Sequence, residues 1–298
     1  MIGVFLAGFA ESNAVIAQNT LSDVTAKRER PRFFGYLYLS IGLAYIAGPL
    51  FGGKIAEFFQ YETPFWWAFL FLAIMTLWIM LGFKETYIIT RQRPQIHYWD
   101  SFVNIKNVFI ERKIRKYYFA NFFIYLAIFG FFRAYPMYLV DQFHLNVGKL
   151  AEFVAWVSVP IIFVNLYFSG LFSKKWNPKH MLIGASIFAS AFIFLVVLPA
   201  KVQALWITLF LSASAIAFSL PSCPALLSSL VSERIQGRVM ENNQSLEFAA
   251  EAVSGLTAGI IASFFFKLPM IVFAGCALLG AMILLLSHKK ERRISTLR

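Results

Sequence analysis

In the stretch ENNQSLEFAAE, residues 241–251, the polar residues Asn243, Glu247 and Glu251 recur every four positions. On a helix that spacing gathers them into one stripe on one face. The stretch continues into an apolar run, so the stripe belongs to a helix that enters a bilayer. Two carboxylates one turn apart in a low dielectric repel each other, and burial adds to the cost of charging both. One of the pair is expected to hold a proton, the starting point of proton-coupled chemistry. The same groups can instead pair with Arg133, which interrupts the apolar stretch GFFRAYPMYL, or bind a cationic ligand directly. Glu247 can also stand in water at a membrane boundary with no special role. Glu11 is a further ionisable group in an apolar run, with Asn13, Gln18 and Asn19 close by in sequence. Ionisable groups at the centre of a membrane helix cost at least ~2.5–3.5 kcal/mol each and usually line a cavity or pathway.

The elements that would position these groups follow from composition. Of 298 residues, 59% are hydrophobic and 14% charged, against about 25% charged in soluble domains. Apolar runs of 18 or more residues read as membrane spans. Nine helices are expected, at 1–21, 33–55, 64–83, 117–140, 149–172, 179–198, 203–230, 239–266 and 268–287. The first twenty residues lack the basic start and small-residue cleavage site of a signal peptide. Cys223 and Cys276 lie in separate apolar runs and make no disulfide framework. His97, His144, His180 and His288 are scattered, so no metal site is expected. No nucleophile–base set or phosphate loop suggests an enzyme, and no cofactor is implied.

The net charge of +12 raises the question of nucleic acid, and the positions of the charges answer it. With loops assigned to alternate sides, one side receives Lys27, Arg28, Arg30, Arg32, the eight basic residues of 84–116, Lys174, Lys175, Lys179, Arg234, Arg238 and the tail 288–298. The other receives only Lys54, Lys149, Lys201 and Lys267. That bias marks the first side as cytoplasmic and is the signature of membrane insertion. Nine spans with a cytoplasmic C-terminus put Met1 outside, an unusual arrangement that suggests a chain starting partway through an architecture.

An internal repeat suggests which one. Residues 21–59 align without a gap on 227–265 at an offset of 206, with 11 of 39 positions identical, including Arg28/Arg234, Arg32/Arg238, Gly53/Gly259 and Ala56/Ala262. Both segments cross the membrane in the same direction. Parallel repeats of this kind relate the two six-helix halves of major facilitator transporters. Extending the offset leaves room for three helices before Met1. The expected organisation is an all-α membrane protein holding helices four to twelve of a twelve-helix, two-bundle architecture. It comprises 1–83 as the rest of the first bundle and 84–116 as a cytoplasmic linker. The second bundle is 117–287, and 288–298 is a basic cytoplasmic tail.

The chain resembles the major facilitator superfamily over essentially its whole length, and within it the drug:proton antiporters of the tetracycline-exporter type. One stretch carrying the resemblance is similar to the fifth-helix antiporter motif: Gly35, Ala44 in place of the central glycine, Gly48-Pro49 and Gly52-Gly53. Another, AQNTLSDVTAKRERPRFFG, is similar to the end of the fourth helix and its basic loop. The third, SGLFSKKWNPKH, is similar to the family's cytoplasmic loop motif, with Gly170, Lys175 and Lys179 in place, Lys174 at the acidic position and Asn177 at the second glycine. Val4, four before Gly8, stands where the family has an arginine.

The resemblance implies a secondary transporter driven by the proton gradient, exporting a small amphipathic molecule by alternating access. An importer of a nutrient or metabolite, and an inactive remnant lacking the first three helices, are the alternatives. It also implies a bacterial inner-membrane location, protons, lipid and a small molecule as partners, and a monomer if the chain is complete. The Gly48-Pro49 segment is expected either to close the outer side against the other half or to be a plain small-residue packing face, as glycines let helix backbones approach in lipid.

Overall fold

The computed structural model describes residues 20, 24, 30–82, 114–171, 177–231 and 233–295. The expected helix 1–21 with Glu11 and Asn13 lies outside these residues except for Thr20. So do Lys27 and Arg28, residues 83–113, and Lys174 and Lys175. The described residues form eight α-helices: α1 Arg30–Phe58, α2 Thr63–Gly82, α3 Arg115–Phe143, α4 Val147–Leu171, α5 Pro178–Leu195, α6 Val202–Ser229, α7 Glu233–Phe264 and α8 Leu268–Ser295. Seven contain segments long and apolar enough to cross a membrane: α2 through α8. The chain divides into two compact units, Met1–Ile96 and His97–Arg298, and the boundary falls within the segment expected to be the linker.

Several boundaries differ from expectation. The helix expected at 239–266 starts at Glu233, so Arg234 and Arg238 lie in its first turns and not in a loop, and the helix expected at 117–140 runs from Arg115, in the expected linker, to Phe143. The helix expected at 268–287 continues to Ser295, so most of the basic tail is helical. Nothing in SHKKERRIS breaks a helix: there is no proline or glycine, and lysine, arginine and glutamate are good helix formers. The helix expected at 33–55 runs from Arg30 to Phe58, carrying Pro49 within it, which membrane helices tolerate.

In the first unit, α1 and α2 are joined by a short turn in which Thr63 N–H donates to the Gln60 carbonyl at 3.0 Å. No residue of α2 is buried; its tryptophans, phenylalanines and leucines all remain exposed, as suits a span facing lipid or further helices. Phe58 ends α1 and Phe264 ends α7, the same offset of 206 that the repeat shows.

In the second unit α3 is the central element. It packs on α8, α7 and α6, while α8 reaches α5, and α6 joins α5 to α4. Two glycines make the α3–α8 contact possible. A Cβ on Gly130 would overlap the Phe273 ring, and one on Gly280 would meet Ile124 Cγ1 at 2.6 Å and the Ala120 carbonyl at 3.0 Å. Close backbone approach through small residues is how helices associate without a hydrophobic drive between them. Between α3 and α4, His144 takes a left-handed conformation (φ 51°) and its N–H donates to the Val140 carbonyl, closing the helix as a C-terminal cap. Asn146 then accepts from Lys149 N–H at 2.9 Å and opens α4. At the same ends of α4 and α6, Trp156 Nε1 donates to the Trp206 carbonyl at 2.8 Å, and the Phe153 and Trp206 rings lie 4.3 Å apart.

Candidate functional site

Asn177 opens α5 by accepting from Lys179 N–H at 2.9 Å, with Pro178 at the first helical position. This is a favoured start, because proline there forfeits no helical bond. The consequence for Lys179 is a change of place. The residue read from sequence as part of a cytoplasmic loop motif lies inside the first turn of α5 and is only 7% exposed. Its Nζ is 3.3 Å from Tyr117 Oη and 5.2 Å from the centre of that ring. The motif's Gly170 lies in the last turn of α4.

The polar groups of the interior gather between α3 and α7, which run side by side in the same direction. Tyr118 Oη donates to the Val239 carbonyl at 3.3 Å. One turn on, Asn121 Nδ2 donates to Asn243 Oδ1 and to the Cys223 carbonyl of α6, both at 3.1 Å. Asn243 Nδ2 donates in turn to Tyr125 Oη at 2.8 Å. Further along, Arg133 Nη2 donates to Glu251 Oε1 at 3.4 Å. From Tyr118 to Arg133 the ladder spans roughly 22 Å at 1.5 Å rise per residue. Pro221 and Pro224 lie within α6 on either side of Cys223. A proline nitrogen cannot donate, so Pro221 and Pro224 take the i→i−4 bonds from the Ala217 and Leu220 carbonyls; separately, the Cys223 carbonyl accepts sideways from Asn121.

The structure therefore divides the acidic stripe. Asn243 is buried, with both ends of its amide engaged. Glu247 is half-buried. Glu251 and Arg133 face away from the packed interior, with 34% and 57% of their side-chain surfaces uncovered. The pairing of Arg133 with Glu251, one of the alternatives left open by the sequence, is the one the structure adopts. Chemically, a cation and an anion held by a single long hydrogen bond, with a second carboxylate one turn away, can exchange partners when a proton or a charged ligand arrives.

Five polar residues escaped the sequence reading: Tyr117, Tyr118, Asn121, Tyr125 and Asn242. Asn121 carried a usable signal, as the one amide in the apolar run YYFANFFIYLAIFGFF. Asn242 is fully buried, and neither its Oδ1 nor its Nδ2 has a hydrogen-bond partner among the described residues.

Of the segment read as a gate, Gly48 and Gly52 have no heavy atom within 4 Å of where a Cβ would stand. Ala44 is exposed and Pro49 and Gly53 are partly covered. Gly35 lies near the start of the same helix.

Comparison with known proteins bears on all of this. The family model described as Major Facilitator Superfamily matches residues 1–240 and again residues 117–297. The tetracycline resistance protein, class H, of Pasteurella multocida is 24% identical over 98% of this chain and 73% of its own length. Multidrug resistance protein 2 of Bacillus subtilis (strain 168) is 23% identical over 91% of this chain and 68% of its own. Among solved structures, the human organic anion transporter MFSD10 superposes with a TM-score of 0.65 at 17% identity, covering 95% of this chain and 71% of that one. The chain thus spans about seven-tenths of the length of each.

Proposed function

Because this chain belongs to the Major Facilitator Superfamily, we propose that it is a secondary transporter that exports a small amphipathic molecule in exchange for protons, by alternating access. The observation that carries the reading is the Arg133–Glu251 pair with Glu247 one turn before it. Such groups are costly in a bilayer and are retained for work on charge. Glu247 and Glu251 take up and release the proton, and Arg133 pairs with Glu251 until substrate or proton competes for it. The names of the relatives, which speak of tetracycline and multidrug resistance, support export of drug-like molecules. The loop charge supports a bacterial inner-membrane location with the C-terminus and the Pro178 end of α5 in the cytoplasm.

The test is accumulation of tetracycline and of a lipophilic cationic dye in bacterial cells lacking their own exporters. Cells making the protein should accumulate less of at least one compound, and an uncoupler should restore the level of control cells. A reduced level that survives the uncoupler would refute proton coupling. An unchanged level for every compound, with the protein present in the membrane, would refute drug export.

A further inference from the structure

We propose that Tyr125 is the hydrogen-bond donor to Glu247 once that carboxyl has lost its proton, and that it thereby carries the protonation state of Glu247 to α6. The role is that of a positioning residue, and it rests on the reading that Glu247 exchanges protons.

The polarity of the network fixes what the Tyr125 hydroxyl has left to give. The Cys223 main-chain carbonyl can only accept, so Asn121 must turn its Nδ2 towards it, at 3.1 Å. The same Nδ2 donates its second hydrogen to Asn243, which must answer with Oδ1, also at 3.1 Å. Asn243 therefore meets Tyr125 with Nδ2, at 2.8 Å, and the phenol oxygen is the acceptor there. Turning the Asn121 amide over would set oxygen against oxygen at Cys223, and turning Asn243 would set donor against donor, so the chain of bonds runs in one direction only. A phenol is donor as well as acceptor, and this contact leaves its hydrogen unused. Tyr125 is fully buried, where an unmade bond is costly, so that hydrogen needs an acceptor close by.

Two acceptors stand beside it. The Cys223 thiol of α6 is within hydrogen-bonding reach, and the Glu247 carboxylate is near enough to act on the phenol through its charge. Glu247 follows Asn243 by one turn on the same face of α7, and helical side chains lean towards the N-terminus, so its carboxyl leans towards the turn that Tyr125 touches. Glu251 and Arg133, the other charged groups near it, are engaged with each other. Sulfur is a weak acceptor, whereas a hydrogen bond to an ionised carboxylate is roughly twice as strong as one between neutral groups. With Glu247 protonated, the hydroxyl stays with Cys223. With Glu247 charged, it turns to the carboxylate. The phenol keeps its proton in both states; the proton that leaves is that of the half-buried Glu247 carboxyl, which passes to water. The exchange releases one polar contact between α3 and Cys223, in the stretch of α6 where Pro221 and Pro224 have already thinned the backbone bonds.

The experiment is infrared difference spectroscopy of the full chain in lipid bilayers, between about pH 4 and pH 8, below the range in which tyrosine ionises. Ring-labelled tyrosine marks the tyrosine bands. The Glu247 carboxyl band is identified by its loss in Glu247→Gln, and the Tyr125 band by its loss in Tyr125→Phe. The expected result is a shift of the Tyr125 C–O band that follows the ionisation of Glu247 with the same midpoint. Glu247→Gln should abolish that shift, and in Cys223→Ala it should persist from an altered starting position at the acid end. Proton-driven export should fall about tenfold in Tyr125→Phe, the scale of one hydrogen bond to a charged group. A Tyr125 band that stays in place while Glu247 ionises, a shift that survives Glu247→Gln, or export at the unaltered rate in Tyr125→Phe would each overturn the proposal. Should Tyr125→Phe fail to fold, Glu247→Gln decides alone, since every tyrosine shift that shares the Glu247 midpoint must vanish in it. A Glu247 band that never changes across the range would overturn the reading of Glu247 as a proton carrier and this role with it, whereas ionisation of Glu247 without a tyrosine response overturns the Tyr125 role only.

Discussion

Arg133 of α3 and Glu251 of α7, 118 residues apart in sequence, meet at 3.4 Å on the same side of the second unit. Neither is sealed in the interior, so the contact is open to a competing charge. Glu251→Gln keeps the shape and removes the charge, and should lower proton-driven export by at least about tenfold, equivalent to about 1.4 kcal/mol on the barrier. Arg133→Gln should do the same. The exchanged pair, Arg133→Glu with Glu251→Arg, should recover part of the loss if the contact itself matters. Transport in inverted membrane vesicles with an imposed pH gradient is the measurement, and rates unaltered by Glu251→Gln would remove that residue from the mechanism.

The two adjacent asparagines of α7 should behave in opposite ways. Asn243→Leu leaves Tyr125 Oη without its donor and takes one acceptor from Asn121. Unpairing buried polar groups costs about 1–3 kcal/mol each, so the thermal midpoint in detergent should fall. Asn242→Leu removes an amide with no partner among the described residues and should leave the midpoint unchanged or raise it. A fall of equal size for both would show that burial alone, and not the hydrogen bonding, governs this interface.

Glycine substitutions should separate by position. Gly280→Ala pushes a methyl against Ile124 and the Ala120 carbonyl, and overpacking of this kind costs about 1–3 kcal/mol. Gly255→Ala, where nothing stands within 4 Å, should be tolerated. Unfolding midpoints of the two variants check this directly, and equal midpoints would mean that the α3–α8 seam relaxes without penalty.

Gly48→Leu meets no atom within 4 Å of the new Cβ, so the amount of folded protein should be unchanged. If the Gly48-Pro49 segment closes the outer side during transport, export should nonetheless fall several-fold, because a bulky side chain blocks close helix approach. Export at the unaltered rate would leave the segment as an ordinary lipid-facing surface.

The buried lysine makes a final prediction. Lys179→Met keeps a long unbranched side chain but loses the ammonium beside Tyr117, whereas Lys179→Glu buries an anion against a phenol ring whose face is itself negative. The glutamate variant should be the less stable of the two, by thermal unfolding in detergent. A methionine variant as unstable as the glutamate one would show that the ammonium group, and not the stem, holds the first turn of α5.

Seven of the expected spans and their rough limits were readable from residue order, because a run of ~20 apolar residues needs no knowledge of its neighbours to be recognised. The four-residue spacing of Asn243, Glu247 and Glu251 likewise follows from the helix alone. What each member of that stripe touches is decided only by packing. One helical turn separates Asn243, locked between Asn121 and Tyr125, from Glu247, half-covered, and another separates Glu247 from Glu251, paired with Arg133. A stripe on one helix cannot declare which neighbour covers which turn. Lys179 makes the same point, since its place in a basic loop motif suggested solvent, and only the approach of α5 to Tyr117 buries it. Local periodicity determines the elements and their faces. The partners of those faces come from contacts between residues some sixty to more than a hundred positions apart, which depend on how the helices pack and not on any single stretch of chain.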